Sequence, residues 1–472
     1  MAGSREGAMK RARKHFDDGG FLKRLAEWIA VPTEAQKLES QPELYRFLTD
    51  YVKPYFEEMG FETTLYDNPV EKRGPFIIAT RMEDPSKPTL LTYGHGDVVT
   101  AFKEEWSEGL DPWVLKEDGD YFYGRGTSDD KGQFQLCMAA QHAVIQERGS
   151  LGFNSKFLIE TGEEQGSPGL KKFIQDHTKE LAADVMVWAD GPRLAKARQE
   201  IDCGSRGGVF FDLVVDLKRE GGLHSGHWGG VMPDAGIILA QALASITTPK
   251  GRILIEDWLP KKVPQSVLDA IAKLEVDPVK SLPDPDPEWG HTELTTMQKV
   301  MANTSFIILA YRTGNPDNPV NSVPSYAKAR CQIRHTADVP REDFVPALRK
   351  HLDARGFRQV EIAGQIEREQ FPASRTDPNE PWVAWAIESL TRSTGVEPNV
   401  VPNAPGSNPA DYFRAALDLP AFKIPHSYKG CKQHGPDEHG LKSMFSEGME
   451  VMAGFYWDMG EPGTPPNRGI KS

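Results

Sequence analysis

Five short stretches of the 472-residue chain concentrate histidine, aspartate and glutamate: GHGDVV (94–99), GRGTSDDKG (124–132), ETGEEQGS (160–167), WADGP (188–192) and CKQHGPDEH (431–439). They offer His95, Asp129, Glu164, Asp190 and His434 as metal ligands and Glu163 as a base. Two imidazoles and three carboxylates, one of them shared, give each of two metals one nitrogen and two oxygens. That set suits zinc, with cobalt or manganese as substitutes. Two such ions, about 3.5–4 Å apart, would activate water and polarise a carbonyl together.

Each stretch alone has an ordinary structural explanation. In the HxD pair His95 and Asp97, the carboxylate can hold the second imidazole nitrogen and fix the tautomer. A strand-end histidine beside a surface aspartate reads the same. In GRGTSDDKG one carboxylate can bridge two metals. Asp129 is the candidate, with Asp130 placed to act at the start of a helix beside Lys131. Both acids could instead complement the helix dipole. The stretch lacks the spacing of a phosphate loop or a dinucleotide fingerprint. Glu163 and Glu164 follow an apolar run, and neighbours in extended chain point opposite ways. One can then bind metal while the other takes a proton from water; a solvated acid pair is the plain alternative. Asp190 before Gly-Pro resembles a turn former, and His434 a loop histidine. The conjunction points to a dinuclear hydrolase centre.

The bulk properties bound the class of protein and say nothing sharp about a small substrate. The length exceeds one typical core and predicts two domains. Hydrophobic content of 39% and charged content of 26% are those of a soluble globular chain. A net charge of −13 argues against nucleic acid or an acidic membrane as partner. Cys137, Cys203, Cys331 and Cys431 form no CxxC pair, which predicts reduced thiols and a cytoplasmic setting. The N-terminal segment lacks the apolar core of a secretory signal. No apolar run approaches the roughly 20 residues that span a bilayer. The Gly- and Pro-rich residues 460–472 read as a loose end.

The elements that must position the site follow from periodicity. Residues 21–30, 42–59, 131–147 and 168–177 read as helices, and 88–97, 156–160 and 184–190 as buried strands. Their alternation predicts an α/β fold, a mostly parallel sheet with helices on both faces. Four of the five polar stretches then begin where a strand or its following loop ends, the place where such sheets bind ligands. After residue 202 the rhythm changes. Residues 209–217 read as a strand and 277–290 as a proline-rich loop. Residues 325–335 alternate, with Ala327, Ala329, Cys331 and Ile333 on one face and Lys328, Arg330, Gln332 and Arg334 on the other. A helix over 341–355 carries Phe344, Leu348 and Leu352 and stops at Gly356, before a strand at 359–364. Residues 205–370 are therefore expected to form an inserted α+β domain, leaving 1–204 and 371–472 as a discontinuous metal-binding catalytic domain.

In this order, and with that insertion, the stretches resemble the dinuclear zinc peptidase family of carnosine dipeptidases, glutamate carboxypeptidases, aminoacylase and succinyl-diaminopimelate desuccinylase, over nearly the whole chain. GRGxxDxKG together with ExxEExGS carries the resemblance most specifically. It implies two Zn2+ per chain, one on His95 and Asp190, the other on Glu164 and His434, bridged by Asp129. It makes Glu163 the general acid/base and Asp97 a supporting carboxylate. It also implies that the insertion is a ferredoxin-like lid and dimerisation domain. LHSG then supplies His224, which crosses a homodimer to stabilise the tetrahedral intermediate of the partner site. NSVP (321–324) supplies Asn321, which crosses likewise. Arg334 matches an arginine that holds a substrate carboxylate by its two-pronged donor geometry. PGSNPADY (405–412) matches a loop near the site, with Gly406 and Ser407 in the corresponding places. Relatives keep a cis peptide after the bridging aspartate, so Asp129–Asp130 is expected to be cis. Three positions depart from the pattern. Thr100 stands where Pro is frequent, and His227 and Trp228 where smaller or aliphatic residues are usual, which leaves substrate size and polarity open.

The implied activity is hydrolysis of an amide or peptide bond in a small substrate with a free carboxylate, a dipeptide or an N-acyl amino acid. Two rivals stay in view. One is an enzyme of the same fold acting on a non-peptide C–N bond, as a deaminase or xenobiotic amidase. The other is a non-catalytic binding protein on a hydrolase fold.

Overall fold

Every residue of the strands Thr89–His95 and Asn154–Glu160 is buried. A strand buried on both faces must lie inside a sheet covered on both sides. In the computed structural model, which describes residues 3–219, 222–278, 284–364 and 371–465, these two strands sit near the middle of an eight-stranded sheet. Its order is Glu62–Tyr66, Phe76–Arg81, Asn154–Glu160, Thr89–His95, Val185–Trp188, Ala421–Lys423, Glu200–Asp202, Asn399–Val401. Asn154–Glu160, Thr89–His95, Val185–Trp188 and Ala421–Lys423 run parallel. Antiparallel pairings join Glu62–Tyr66 to Phe76–Arg81 and Phe76–Arg81 to Asn154–Glu160.

Side-chain alternation divides two cores across this sheet. Leu90, Phe157, Ile159, Val185 and Val187 face the helices Gly20–Ile29, Lys131–Arg148 and Lys442–Met459. Leu91, Tyr93, Leu158, Met186 and Trp188 face Leu170–Asp176 and Ala410–Leu417. The helix expected over 42–59 is present with a π turn at Phe47–Val52. The helices not anticipated include Arg5–Asp17, Ala235–Ala244, Pro381–Thr394, Ala410–Leu417 and Lys442–Met459.

A second sheet is wholly antiparallel, ordered Ser305–Thr313, Tyr326–His335, Gly207–Asp216, Glu361–Ala363. Ala327, Ala329, Cys331 and Ile333 point into its core with Val209, Phe211, Leu213 and Val215. The helices Ala235–Ala244 and Phe344–Ala354 cover that face, and Phe344, Leu348 and Leu352 seal it. The fold class read from the sequence, a mostly parallel α/β sheet plus an α+β unit, stands. The proline-rich stretch 277–290 contains no helix or strand among its described residues. Residues 279–283, 365–370 and 466–472 lie outside the described residues, and with them part of that loop, the expected boundary at 370 and most of the tail.

Candidate metal centre

The parallel strands all end at one edge of the large sheet, where the stretches of His95, Glu164 and Asp190 emerge, while those of Asp129 and His434 adjoin the paired strands Tyr121–Tyr123 and His439–Leu441. His95 is the last residue of Thr89–His95. Its Nδ1 donates to the Asp97 carbonyl oxygen at 3.1 Å, which leaves the Nε2 lone pair for a metal. Nε2 lies 3.2 Å from Asp129 Oδ1. The other Asp129 oxygen, Oδ2, lies 3.0 Å from His434 Nε2, which is 3.2 Å from Glu164 Oε2. Asp129 thus presents one oxygen to each imidazole, the disposition a bridging carboxylate requires.

Two overlapping triads result: His95, Asp129 and Asp190, and Asp129, Glu164 and His434. Within each, the ligand atoms lie within 4.8 Å of one another. The donor set fits a pair of divalent metals, and Glu164 Oε1 is buried with no protein partner. The electrostatics agree. Burial and the Asp129 charge push Glu164 up to about 7. Burial, then the neighbouring Glu164, Asp190 and Asp129, hold Glu163 well above the usual carboxylate range against the pull of His95. Hydrogen bonds that His434 donates to the Asp129 and Glu164 carboxylates push it up to about 11. A hole with this excess of carboxylate is one that cations neutralise.

Local structure explains the placement and amends three expectations. Glu163 and Glu164 are not in extended chain but in the 3-10 turn Glu163–Gln165. Asp97 closes that turn: its Oδ1 accepts from the Glu163 amide and its Oδ2 from the Glu164 amide, both at 3.1 Å. The Asp97 carboxylate is 3.5 Å from His95 Nδ1, farther than its own carbonyl oxygen. Asp97 therefore orients the two glutamates more than the imidazole. Asp130 precedes the helix Lys131–Arg148 without capping it, and Oδ2 accepts from the His95 amide at 3.2 Å. The Asp129–Asp130 peptide is cis.

A cavity of about 320 Å3 opens on the centre, lined by His95, Asp129, Glu163, Asp190 and His434 together with Gly406 and Ser407. Arg334 joins through Ser407: its Nη1 donates to Ser407 Oγ at 2.6 Å. His224 and Asn321 do not line this cavity. They sit together on an exposed two-stranded ribbon, His224 paired with Ser322, and the Ser225 amide donates to the Asn321 carbonyl.

Sequence reasoning missed the buried pair Arg125–Glu438, joined at 2.7 Å. Glu438 Oε1 accepts from the Ser128 and Asp129 amides and Oε2 from the Gly126 amide. One carboxylate so ties the loop of His434 to the loop of Asp129. The signal was at hand: Arg125 and Glu438 lie inside two of the five stretches. Also missed were Glu200, Asp202 and Lys423, which line the same cavity.

Comparison with known proteins agrees with this geometry. The model of peptidase family M20/M25/M40 matches residues 91–458. A cysteinylglycine-S-conjugate dipeptidase of Corynebacterium striatum is 28% identical over 76% of this chain and 77% of its own. The human Beta-Ala-His dipeptidase is 24% identical over 95% and 91%. Among solved structures, the M20 family metallo-carboxypeptidase Sso-CP2 of Sulfolobus solfataricus superposes with a TM-score of 0.77 at 24% identity, covering 93% of this chain and 99% of its own.

Proposed function

The chain belongs to peptidase family M20/M25/M40, and on that premise we propose that it is a two-zinc hydrolase of small peptides bearing a free carboxylate. Membership makes it a metal-dependent hydrolase. The single observation that carries the finer reading is the pair of triads sharing Asp129. In this reading His95 and Asp190 hold one Zn2+, Glu164 and His434 the other, and Asp129 both. Cobalt or manganese would satisfy the same donors. The dipeptidase activity of the two relatives supports a dipeptide substrate.

Bound there, the ions would acidify a water and polarise the scissile carbonyl. Glu163 accepts the water's proton on its carboxylate and returns it to the leaving nitrogen, so that the amine departs neutral. Asp97 keeps the Glu163 and Glu164 carboxylates in register through their amides. Arg334, aligned by Ser407, pairs with the substrate carboxylate, and Gly406 shapes the wall beside it.

In the same reading residues 1–204 and 371–472 act as the catalytic unit and 205–370 as a lid and dimerisation unit. A homodimer is supported by the edge strand Ser305–Thr313, which exposes Ile307, Ile308, Leu309 and Tyr311. His224 and Asn321, exposed and outside the lining of their own cavity, are then free to reach the site of the second copy, His224 as a donor to the oxyanion. Four unpaired, buried cysteines support a reducing, cytoplasmic compartment. No helix among the described residues is long and apolar enough to cross a membrane.

The test is to strip the protein with chelator, reload it with zinc, count the metal and assay amine release from dipeptides and N-acyl amino acids. Cleavage that returns with two zinc ions per chain is the expected result. Two ions without cleavage would move the activity to a non-peptide C–N bond. No bound metal would overturn the hydrolase centre.

A further inference from the structure

The cavity wall carries a second charged group that the metal chemistry leaves unused. Glu200 and Asp202 stand two residues apart on one short strand, and the register of the sheet sets Lys423 directly opposite Asp202. All three side chains are buried, and all three line the cavity beside Asp190 and Gly191. Lys423 Nζ lies 3.4 Å from Asp202 Oδ2. It also lies over the backbone of Gly191, where a Cβ would come within 2.6 Å of it. Gly191 therefore makes room for an ammonium next to Asp190.

Lys423 is the ammonium beside the two acids, and burial, then the Asp202 charge, hold Glu200 well above the usual carboxylate range. Glu200 accepts from the Leu194 amide at 2.8 Å. Asp202 Oδ2 has the lysine, but Asp202 Oδ1 has no hydrogen-bond partner, although the residue is only 4% exposed. Buried polar atoms are almost always satisfied, and an exception in a binding cavity points to a donor that arrives with the ligand. Lys423 covers Asp202 Oδ2 and leaves Oδ1 over.

We propose that Asp202, held by Lys423 and flanked by Glu200, receives the free amino group of the substrate as an ammonium. The inference rests on the peptidase reading of the same site and narrows it. The substrate is a dipeptide with an unblocked N-terminus rather than an N-acyl amino acid. A protonated amine brings the missing hydrogen bond to Asp202 Oδ1 in a charge-assisted contact. An acylated nitrogen is neutral, has one N–H and carries extra bulk into a cavity of about 320 Å3.

The test compares kcat/KM for alanyl-glycine and N-acetyl-alanyl-glycine on the zinc-loaded full chain. Both contain the same peptide bond and the same carboxylate and differ only at the amine. The expected preference for the free amine is at least tenfold, falling below threefold in Asp202→Asn. The ratio within one preparation does not depend on how much of it is folded, and the first comparison needs no variant. Turnover of both substrates at similar rates by the unaltered enzyme would overturn the subsite and leave the peptidase reading intact. So would a preference that survives Asp202→Asn. Turnover of neither by two-zinc protein would overturn the peptidase reading and the subsite with it.

Discussion

Glu163 and Glu438 are acids in neighbouring loops of one centre, and substitution separates their roles. Glu163 faces the cavity. Its replacement by glutamine keeps the shape and removes the proton acceptor. Glu163→Gln should lower kcat by about 10²–10⁴-fold while elemental analysis finds the metal complement unchanged. Retained turnover would remove the base assignment. Glu438 faces three backbone amides and the Arg125 guanidinium, and does not line the cavity. Glu438→Ala would leave a buried arginine unpaired, a change that costs about 3–5 kcal/mol. It should lower the denaturation midpoint and weaken zinc affinity together. A loss under about 1 kcal/mol would mean that the loops hold their places without it. At this scale the sequence was readable where chemistry came with local punctuation. His95, Asp129, Glu164 and Asp190 each follow a strand or a glycine-rich turn, so their types and spacing announced them. Asp202 and Lys423 carry no such mark, because only strand pairing makes them neighbours.

The elements that sequence revealed best were those with two unlike faces. Tyr326–His335 alternates so cleanly that its buried set could be named before the fold was known. Arg5–Asp17 and Lys442–Met459 escaped for opposite reasons. The first buries only Ala8, Met9, Ala12 and Phe16 among many charges. The second is buried nearly all round, from Met444 to Met459, and so has no polar stripe to set its period. The strand Tyr326–His335 also ends in a pH-sensitive residue. Burial, helped by Arg341 and Arg206, lowers His335 to about 4, while its hydrogen bonds to the Thr336 and Val339 backbone pull the other way. The unfolded chain therefore takes up a proton below pH 6.5 that the folded chain refuses. The stability is whole above pH 6.5 and is lost as pH falls towards 4, by about 3 kcal/mol at about 1.4 kcal/mol per pKa unit. His335→Leu should flatten that part of the pH profile in denaturant titrations. An equal slope in both proteins would assign the loss to other groups.

At the scale of the whole molecule, one edge of the large sheet and the loops beside it gather ligands from across the chain, while a separate two-stranded ribbon holds two site candidates outside the cavity. His224 and Asn321 are exposed on a ribbon outside the cavity. If they serve the site of a second copy, each complete site draws on two chains, and two different dead variants can repair one another. Glu163→Gln lacks the base and His224→Ala lacks the crossing donor, so each homodimer should be nearly inactive. Unfolding is not required for exchange; co-expression assembles both chains together. In a mixed dimer, one site combines the intact Glu163 of one chain with the intact His224 of the other, and the second site lacks both. With random pairing in a two-fold dimer, about half the molecules are mixed, so about a quarter of the sites are whole. Co-expressed variants should therefore regain about a quarter of the activity of the unaltered enzyme per chain, read as amine release against metal-loaded controls. Recovery that stays at the level of the separate variants would put His224 to work within its own chain or outside the reaction. The exposed edge strand supplies a control, since Ile308→Lys places a charge in the centre of the face expected to pair. It should shift the sedimentation of the protein to that of a monomer and abolish the recovery, whichever dead variant carries it.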